Sequence, residues 1–407
     1  MTTIRYDDGF FADPHPTYAR LRAKAPAVPV QDPNGLDYWL VTRYREARTA
    51  LAEPALSKDP RQAWAKLRDA GLVAGTAEDA TISMLTADPP EHTRLRTPVS
   101  EAFSPARVKQ LRPRTQHLTD QLLDRLAGRE TVELIEAFAF PLAVTVLCEL
   151  LGVPVEDRDD FRTWTTAAHT PTYVTDAPMP RQEGSRRLRT YIRELVARRS
   201  ATAVRLATVP PDLVGTIVAD PDRGLTDGEL VETVSHLLLA GQDATTNLIG
   251  NGVLALLRNP AQLALLRRCP ELIGPAVEEL MRYDGPTARS SPRVAVRDVG
   301  LGTVTIPAGS VVIVGLAAAN RDPARFADPD RLDIRRTDNQ HLALGNGSHF
   351  CVAAPLARIA GQVAIGTLLR RFPHLALGCT PDELRWRPTP VFRGLASLPV
   401  STTARDH

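Results

Sequence analysis

The 407-residue chain has no excess of either charge: 49 Lys and Arg stand against 47 Asp and Glu, a formal net charge of +2. Without a basic surplus there is no electrostatic reason to expect a nucleic-acid partner. No run approaches about 18 apolar residues free of charge, and Met1–Phe11 carries acids and aromatics where a signal peptide has an apolar core. These absences predict a soluble, cytoplasmic protein with no membrane partner. Cysteine is sparse. Cys148, Cys269, Cys351 and Cys379 lie far apart with no Cys-x-x-Cys pair, which argues against a disulfide framework or a four-cysteine zinc site. Lysine is limited to Lys24, Lys58, Lys66 and Lys109, a bias that carries no chemical reading by itself. At 43% hydrophobic and 24% charged the composition excludes disorder and collagen.

Proline is abundant, with 34 residues against roughly 5% of an average chain, so many segments have hard stops. At ~100–200 residues per domain the length allows two or three domains or one large one. No repeat, low-complexity tract or separating linker divides it, and a single domain over 1–407 is expected. Pro16–Lys24 reads as a short helix, and Pro33-Asn-Gly35 turns the chain into a strand at Tyr38–Thr42. From about Pro90 to Leu280 the apolar spacing is helical, over Val108–Leu126, Phe140–Leu151 and Arg186–Arg199. Proline-rich breaks at Thr170–Pro180 and Thr208–Pro211 read as loops. Thr226 with Glu229 forms a capping box for a long helix that must stop before Pro260 and cross the whole molecule. A helix at Pro275–Tyr283 follows. Alternation at Val294–Val299 and Val304–Val314 predicts a small antiparallel sheet, and Pro355–Arg371 a last helix. The fold class is mainly α with small β-sheets.

Three segments could carry chemistry. In Leu344-Gly-Asn-Gly-Ser-His-Phe-Cys351, the glycines permit a tight turn and close backbone approach to something flat. Cys351 comes just before a helix, whose free N–H groups favour a thiolate suited to axial ligation of haem iron. Alone, such a cysteine is more often a small buried hydrophobe. Glu279-Leu-Met-Arg282 places an acid and a base one turn apart, by itself a surface pair of little worth. Ala240-Gly-Gln-Asp243-Ala-Thr-Thr246 sets a glycine and an acid in the apolar middle of the long helix.

Taken together and in this order, the three segments resemble the cytochrome P450 family over nearly the whole chain, in its soluble bacterial branch that tailors natural products. Gly347, His349 and Cys351 match that family's haem loop, Glu279 and Arg282 its Glu-x-x-Arg helix, and Ala240, Gly241 and Asp243 its oxygen-activating helix. Asp88-Pro-Pro-Glu-His92-Thr-Arg-Leu-Arg96 and Ala319-Asn-Arg-Asp-Pro323 add the bacterial pattern. The resemblance implies a triangular-prism fold with the long helix crossing over haem b, and Cys351 as its axial metal ligand. It also implies His92, Arg96, Arg293 and His349 as propionate ligands, and an ion network of Glu279, Arg282 and Arg331. The implied reaction is oxidation of a polyketide, macrolide or peptide with dioxygen and two electrons. A ferredoxin and its ferredoxin reductase would supply the electrons, since the chain has no room for a fused reductase. Arg107, Lys109, Arg112, Arg114, Arg358, Arg370 and Arg371 could face that acidic partner.

The sequence departs from the family pattern at three places. Leu344 replaces a Phe and Ala353 a Gly beside the thiolate loop. At the catalytic helix, Ala244 follows Asp243 where Thr is usual, and Thr245 is rotated by about 100°. Asp243 remains the candidate proton conduit; either a substrate hydroxyl or ordered water completes the relay, or the reaction does not need the usual one. Thr233, His236, Ala240 and Ala244 share one helix face, which expects His236 and Ala240 in the substrate pocket. Arg289, four residues before Arg293, and Phe392 are expected there too. An imidazole and a guanidinium would suit a polar substrate, which raises an alternative: oxidative coupling of aromatic groups in a peptide or phenol. A non-catalytic haem carrier is the third reading.

Overall fold

A computed structural model describes residues 2–33, 35–78, 80, 82–170, 179–206, 212–220, 222 and 224–403. Nine helices matter for the site. They are α1 (His15–Lys24), α2 (Glu91–Ala102), α3 (Pro105–Gln110), α4 (Arg112–Asp124) and α5 (Phe140–Leu151). The others are α6 (Arg181–Leu206), α7 (Asp227–Leu257), α8 (Ile273–Asp284) and α9 (Ala354–Arg371). The start of α7 is chemical: Thr226 Oγ1 accepts the Glu229 N–H at 3.2 Å, and the Glu229 carboxylate accepts the Thr226 N–H at 2.8 Å. At 1.5 Å per residue α7 is about 46 Å long. Leu238, Ile249 and Val253 of α7 share the main core with Leu147 of α5, Leu280 of α8 and Ile365 of α9. None of the described helices is long and apolar enough to cross a membrane.

Two helix expectations change. The single helix expected over Val108–Leu126 is two, α3 and α4, because Pro113 falls at the first turn of α4. A proline without an N–H starts a helix better than it continues one. The helix expected at Arg186–Arg199 runs from Arg181 to Leu206, its first turns supported by Glu183 paired with Arg186 at 2.7 Å and Arg187 at 2.6 Å. The loop expectations at Thr170–Pro180 and Thr208–Pro211 lie mostly outside the described residues, as does Asn34 of the first hairpin.

Eight strands lie near the site: β1 (Thr2–Thr3), β2 (Ala27–Gln31), β3 (Asp37–Val41), β4 (Leu56–Ser57), β5 (Arg293–Ala295), β6 (Val299–Leu301), β7 (Val304–Ile306) and β8 (Val311–Val314); a separate three-stranded sheet joins Thr131–Glu133, Ala376–Leu377 and Pro399–Ser401. The small antiparallel sheet expected around residue 300 divides. Gly302, at φ +60°, closes β6 and β7 into a separate hairpin. The Gly309 N–H then bonds the Ala295 carbonyl at 2.7 Å and sends β8 back along β5. These two strands join a six-stranded sheet in the order β1-β2-β3-β8-β5-β4, in which β3 and β8 run parallel. A second core lies on this sheet, where Phe10, Phe11 and Tyr18 pack with Val30, Tyr38 and Leu40.

Candidate active site

Cys351 sits where the loop 344–350 turns into α9. Its N–H bonds the Leu344 carbonyl at 2.9 Å and its carbonyl accepts the Ala354 N–H at 3.2 Å. Gly347 makes the turn at φ +78°, and a side chain there would press on the Leu51 carbonyl and Ala52 at 3.0 Å. Ala353 has φ −86° and ψ 11°, a conformation open to any residue, so this position does not require Gly. Leu344 packs beside Leu248, Val277, Met281 and Ala343. Burial pushes the Cys351 thiol above its ordinary value, against the Ala353 N–H, Arg96 and Arg358, which favour the thiolate.

His92, Arg96, Arg293 and His349 converge near this loop from α2, β5 and the loop itself. The His92 and His349 rings are 4.2 Å apart by their centroids, and Arg96 donates to the Phe350 carbonyl at 2.5 Å. Arg293 donates to the Leu51 and Leu56 carbonyls at 3.0 and 3.2 Å. Lys58 joins them unforeseen, bonded to Ser291 Oγ and, at 3.1 Å, to the Pro292 carbonyl. Burial acts on all of them, and neighbouring positive charge acts further on Lys58, His92 and His349. Burial first and then Arg293 lower Lys58 to about 7, and burial lowers Arg293 to about 10. His349 falls to about 2, through burial and then Lys58, His92, Arg293 and Arg96. None of the five forms an ion pair among the described residues, and His92 Nε2, His349 Nε2 and Arg293 Nε are buried without a hydrogen-bond partner. Buried donors of one sign without acceptors are costly. A group carrying carboxylates beside a cysteine-bound metal fits this donor set, as the two propionates of haem do.

On α7, Asp243 is buried, and its Oδ1 accepts from Arg387 at 2.9 Å. Ala240 is exposed, and Ala244 and Thr245 are half-buried, so this stretch of the helix is not covered by protein. His236 Nδ1 bonds Ser83 Oγ at 2.9 Å, which ties the segment before α2 to the long helix. Phe392 lines a small cavity with Phe11, Tyr18, Ala288 and Trp386.

Arg289 does not occupy the place expected of it. Its Nε donates to the Tyr18 hydroxyl at 3.0 Å, and one terminal nitrogen donates to Tyr38 at 2.8 Å and also to Tyr6. The guanidinium belongs to the N-terminal aromatic core and is 2% exposed. The ion network also needs a correction. Arg282 grips Glu279 at 2.7 and 2.8 Å, with both side chains fully buried. The second cation on Glu279 is Arg336, at 3.2 Å. Arg331 gives Arg282 only its backbone carbonyl, at 3.2 Å, while its side chain lies outside on Asp333. Of the residues missed, Lys58, Ser83, Arg336 and Arg387 carry no local pattern; only their partners reveal them.

Comparison with known proteins agrees with this geometry. Residues 271–391 match the family model described as Cytochrome P450. Cytochrome P450 107B1 of Saccharopolyspora erythraea is 46% identical over 98% of this chain and 97% of the relative. The cytochrome P450 monooxygenase PikC of Streptomyces venezuelae is 45% identical over 96% and 91%. The structure of the tirandamycin C-bound P450 monooxygenase TamI superposes with a TM-score of 0.89 at 39% identity, over 99% of this chain and 100% of that one. Full-length identity at this level, together with a cysteine loop facing unpaired cations, leaves one conclusion: the chain belongs to the cytochrome P450 family and is one of its monooxygenases.

Proposed function

We propose that residues 1–407 form one catalytic unit in the cytoplasm, that the Cys351 thiolate would hold the iron of haem b, and that a natural product of the polyketide or macrolide class is the substrate. The observation that carries the cofactor reading is the set of orphaned buried donors on His92, His349 and Arg293 around the Cys351 loop. When bound, the haem supplies reductive activation of dioxygen and transfer of one oxygen atom to the substrate. His92, Arg96, Arg293 and His349 would hold its carboxylates. Asp243 would carry a proton inward on its carboxylate, with Arg387 fixing the orientation of that group. Ala240, Ala244 and Thr245 would border the substrate, and His236 would set the position of the segment around Ser83.

The substrate class rests on two supports. Arg289 is spent on three tyrosines, so the guanidinium that argued for a polar substrate is withdrawn from the pocket. The oxidative-coupling reading loses its main argument with it. TamI, alike over the full chain, was solved with tirandamycin C bound. Electrons would come from a ferredoxin and its reductase. On the face expected to receive that partner, Arg114, Arg358 and Arg371 are committed to Glu149, Glu278 and Asp124. Arg107, Lys109, Arg112 and Arg370 remain exposed there, without a carboxylate partner among the described residues.

The test is a Soret titration of the purified ferric protein with neutral macrolides and with short aromatic peptides bearing a free carboxylate, followed by turnover under labelled dioxygen. A shift with macrolides and one labelled oxygen in the product are expected. Absence of a Soret band after haem addition would sink the assignment at Cys351. A shift with peptides alone, and an unlabelled product, would reinstate coupling.

A further inference from the structure

The charges around the Cys351 loop involve a residue that none of the sequence motifs contains. Arg96 and Arg293 carry fixed charge, and the His92 and His349 Nε2 atoms are buried beside them without a hydrogen-bond partner. Two propionates would balance the two arginines, but one further carboxylate is already present. Asp88 accepts the Lys58 N–H at 2.8 Å and the Ser57 hydroxyl, and its field reaches His92, Arg293 and Lys58. One more positive charge is therefore required, and Lys58 is 6% exposed, with only a hydroxyl and a carbonyl as acceptors. A buried ammonium whose hydrogen-bond partners are all neutral is costly to maintain.

We propose that Lys58 is a further haem-contact residue, its ammonium held beside Arg293 by Ser291 and Pro292 to supply the third fixed charge that Asp88 and two propionates require. The inference rests on the haem reading of the Cys351 site. Two arginines and one lysine then face three carboxylates, a formal sum of zero, and no cation is left buried alone. The crowding that lowers Lys58 is relieved when two anions enter, so the lysine is charged in the loaded protein. A second consequence concerns electron uptake. Loss of one nearby positive charge disfavours the more negative ferrous state, so the midpoint potential falls when Lys58 is replaced by a neutral residue.

The experiment uses the full chain, wild type and Lys58→Met, Lys58→Gln and Lys58→Arg, each loaded with haem and with haem dimethyl ester. Haem transfer to excess apomyoglobin and the ferric/ferrous midpoint are measured. With haem, Lys58→Met and Lys58→Gln lose the cofactor roughly tenfold faster and reduce at lower potential, while Lys58→Arg stays near wild type. With the diester, whose carboxylates are masked, the difference in loss rate collapses. Equal loss rates for all proteins loaded with haem would overturn the proposal. So would a loss that is faster by the same factor with both cofactors, because Lys58 would then only brace residues 291–292. Unchanged haem retention with a weakened Soret response to myristate would reassign Lys58 to an anionic substrate and equally overturn it. Failure of the wild type itself to take up haem is a separate result and refutes the cofactor reading.

Discussion

Replacing Arg289 by Met tests the placement of this guanidinium most sharply. The side chain makes three bonds to tyrosine hydroxyls and lies 5.1 and 5.6 Å from the Tyr6 and Tyr18 ring centroids. Bonds to a charged group contribute ~1.5–3 kcal/mol each, so the gross loss is about 5–9 kcal/mol. Against this, the variant no longer buries a guanidinium, which offsets several kcal/mol. Tyr6 and Tyr38 also still bond one another at 3.0 Å. The net cost is then ~2–4 kcal/mol. An unfolding entropy of ~2.1 cal/mol/K per residue over the full length makes 1 kcal/mol worth about 1.2 °C, so Tm falls by ~2–5 °C. There is an alkaline signature as well. Burial raises both Tyr6 and Tyr38, and Arg289 opposes that rise. A folded-state pKa above the unfolded value of about 10 gives stability that is present below pH ~10 and lost above it. Without Arg289 the shift grows and the alkaline loss steepens. Thermal unfolding by circular dichroism from pH 7 to 11, with Soret titrations by macrolides alongside, reads both effects. An unchanged Tm combined with weakened ligand binding would refute the reasoning and return Arg289 to the pocket.

Three further perturbations follow from the same contacts. Glu279→Ala leaves the Arg282 guanidinium buried without its partner and costs ~3–5 kcal/mol, read as loss of soluble, haem-competent protein. Conservative Glu279→Asp should recover part of it. Glu278 is pushed down to about 2, because His341 and Arg358 outweigh the upward push of burial. Its contribution, ~1 kcal/mol once solvent screening of this partly exposed pair is allowed for, is therefore full above pH ~5 and lost as pH falls toward 2. Glu278→Gln should flatten that acid limb in urea titrations, and an unchanged limb would count against the pair. Arg387→Met removes the Arg387 contact from the Asp243 carboxylate and should lower product formed per electron pair about tenfold, less than the ~10²–10⁴ of a direct general acid or base because Arg387 acts through Asp243. Hydrogen peroxide release would rise, and Arg387→Lys would restore most of the coupling; full coupling in the Met variant would detach Arg387 from the reaction.

The helices were legible because their signals are local. The apolar spacing of Phe140–Leu151 and the capping box at Thr226 mark elements that need no distant partner. The six-stranded sheet was not legible, because strands of two to five residues pair across most of the chain, as Ser57 does with Val294 and Tyr38 with Val311. The site divides in the same way. Cys351, His92, Arg293 and His349 are tied to motifs, and they meet. Arg387 and Lys58 gain their roles from Asp243, 144 residues away, and from Ser291, 233 residues away, so no window of sequence contains the reason. For Arg289 and Arg331 the backbone position was readable but the side-chain direction was not. Three hydroxyls from residues 6–38 draw the first into the aromatic core, and Asp333 draws the second to the surface.

The unusual Ala244 can be understood from what holds its neighbour. Asp243, Asn247 and Asn251 are spaced by four residues and share one face of the long helix, and each meets the segment 387–394. Asp243 pairs with Arg387, and a side chain at Gly394 would run into the Asn247 amide. Asn251 donates to the Arg393 carbonyl at 2.9 Å. That segment is itself anchored: Arg393 binds Asp284 and donates to the Phe11 carbonyl at 2.8 Å, and Phe392 bridges to Thr287. The orientation of the acid is thus imposed from the C-terminal segment across about two helical turns, rather than by a hydroxyl at the next position. A hydroxyl at 244 is therefore dispensable for holding Asp243 in place.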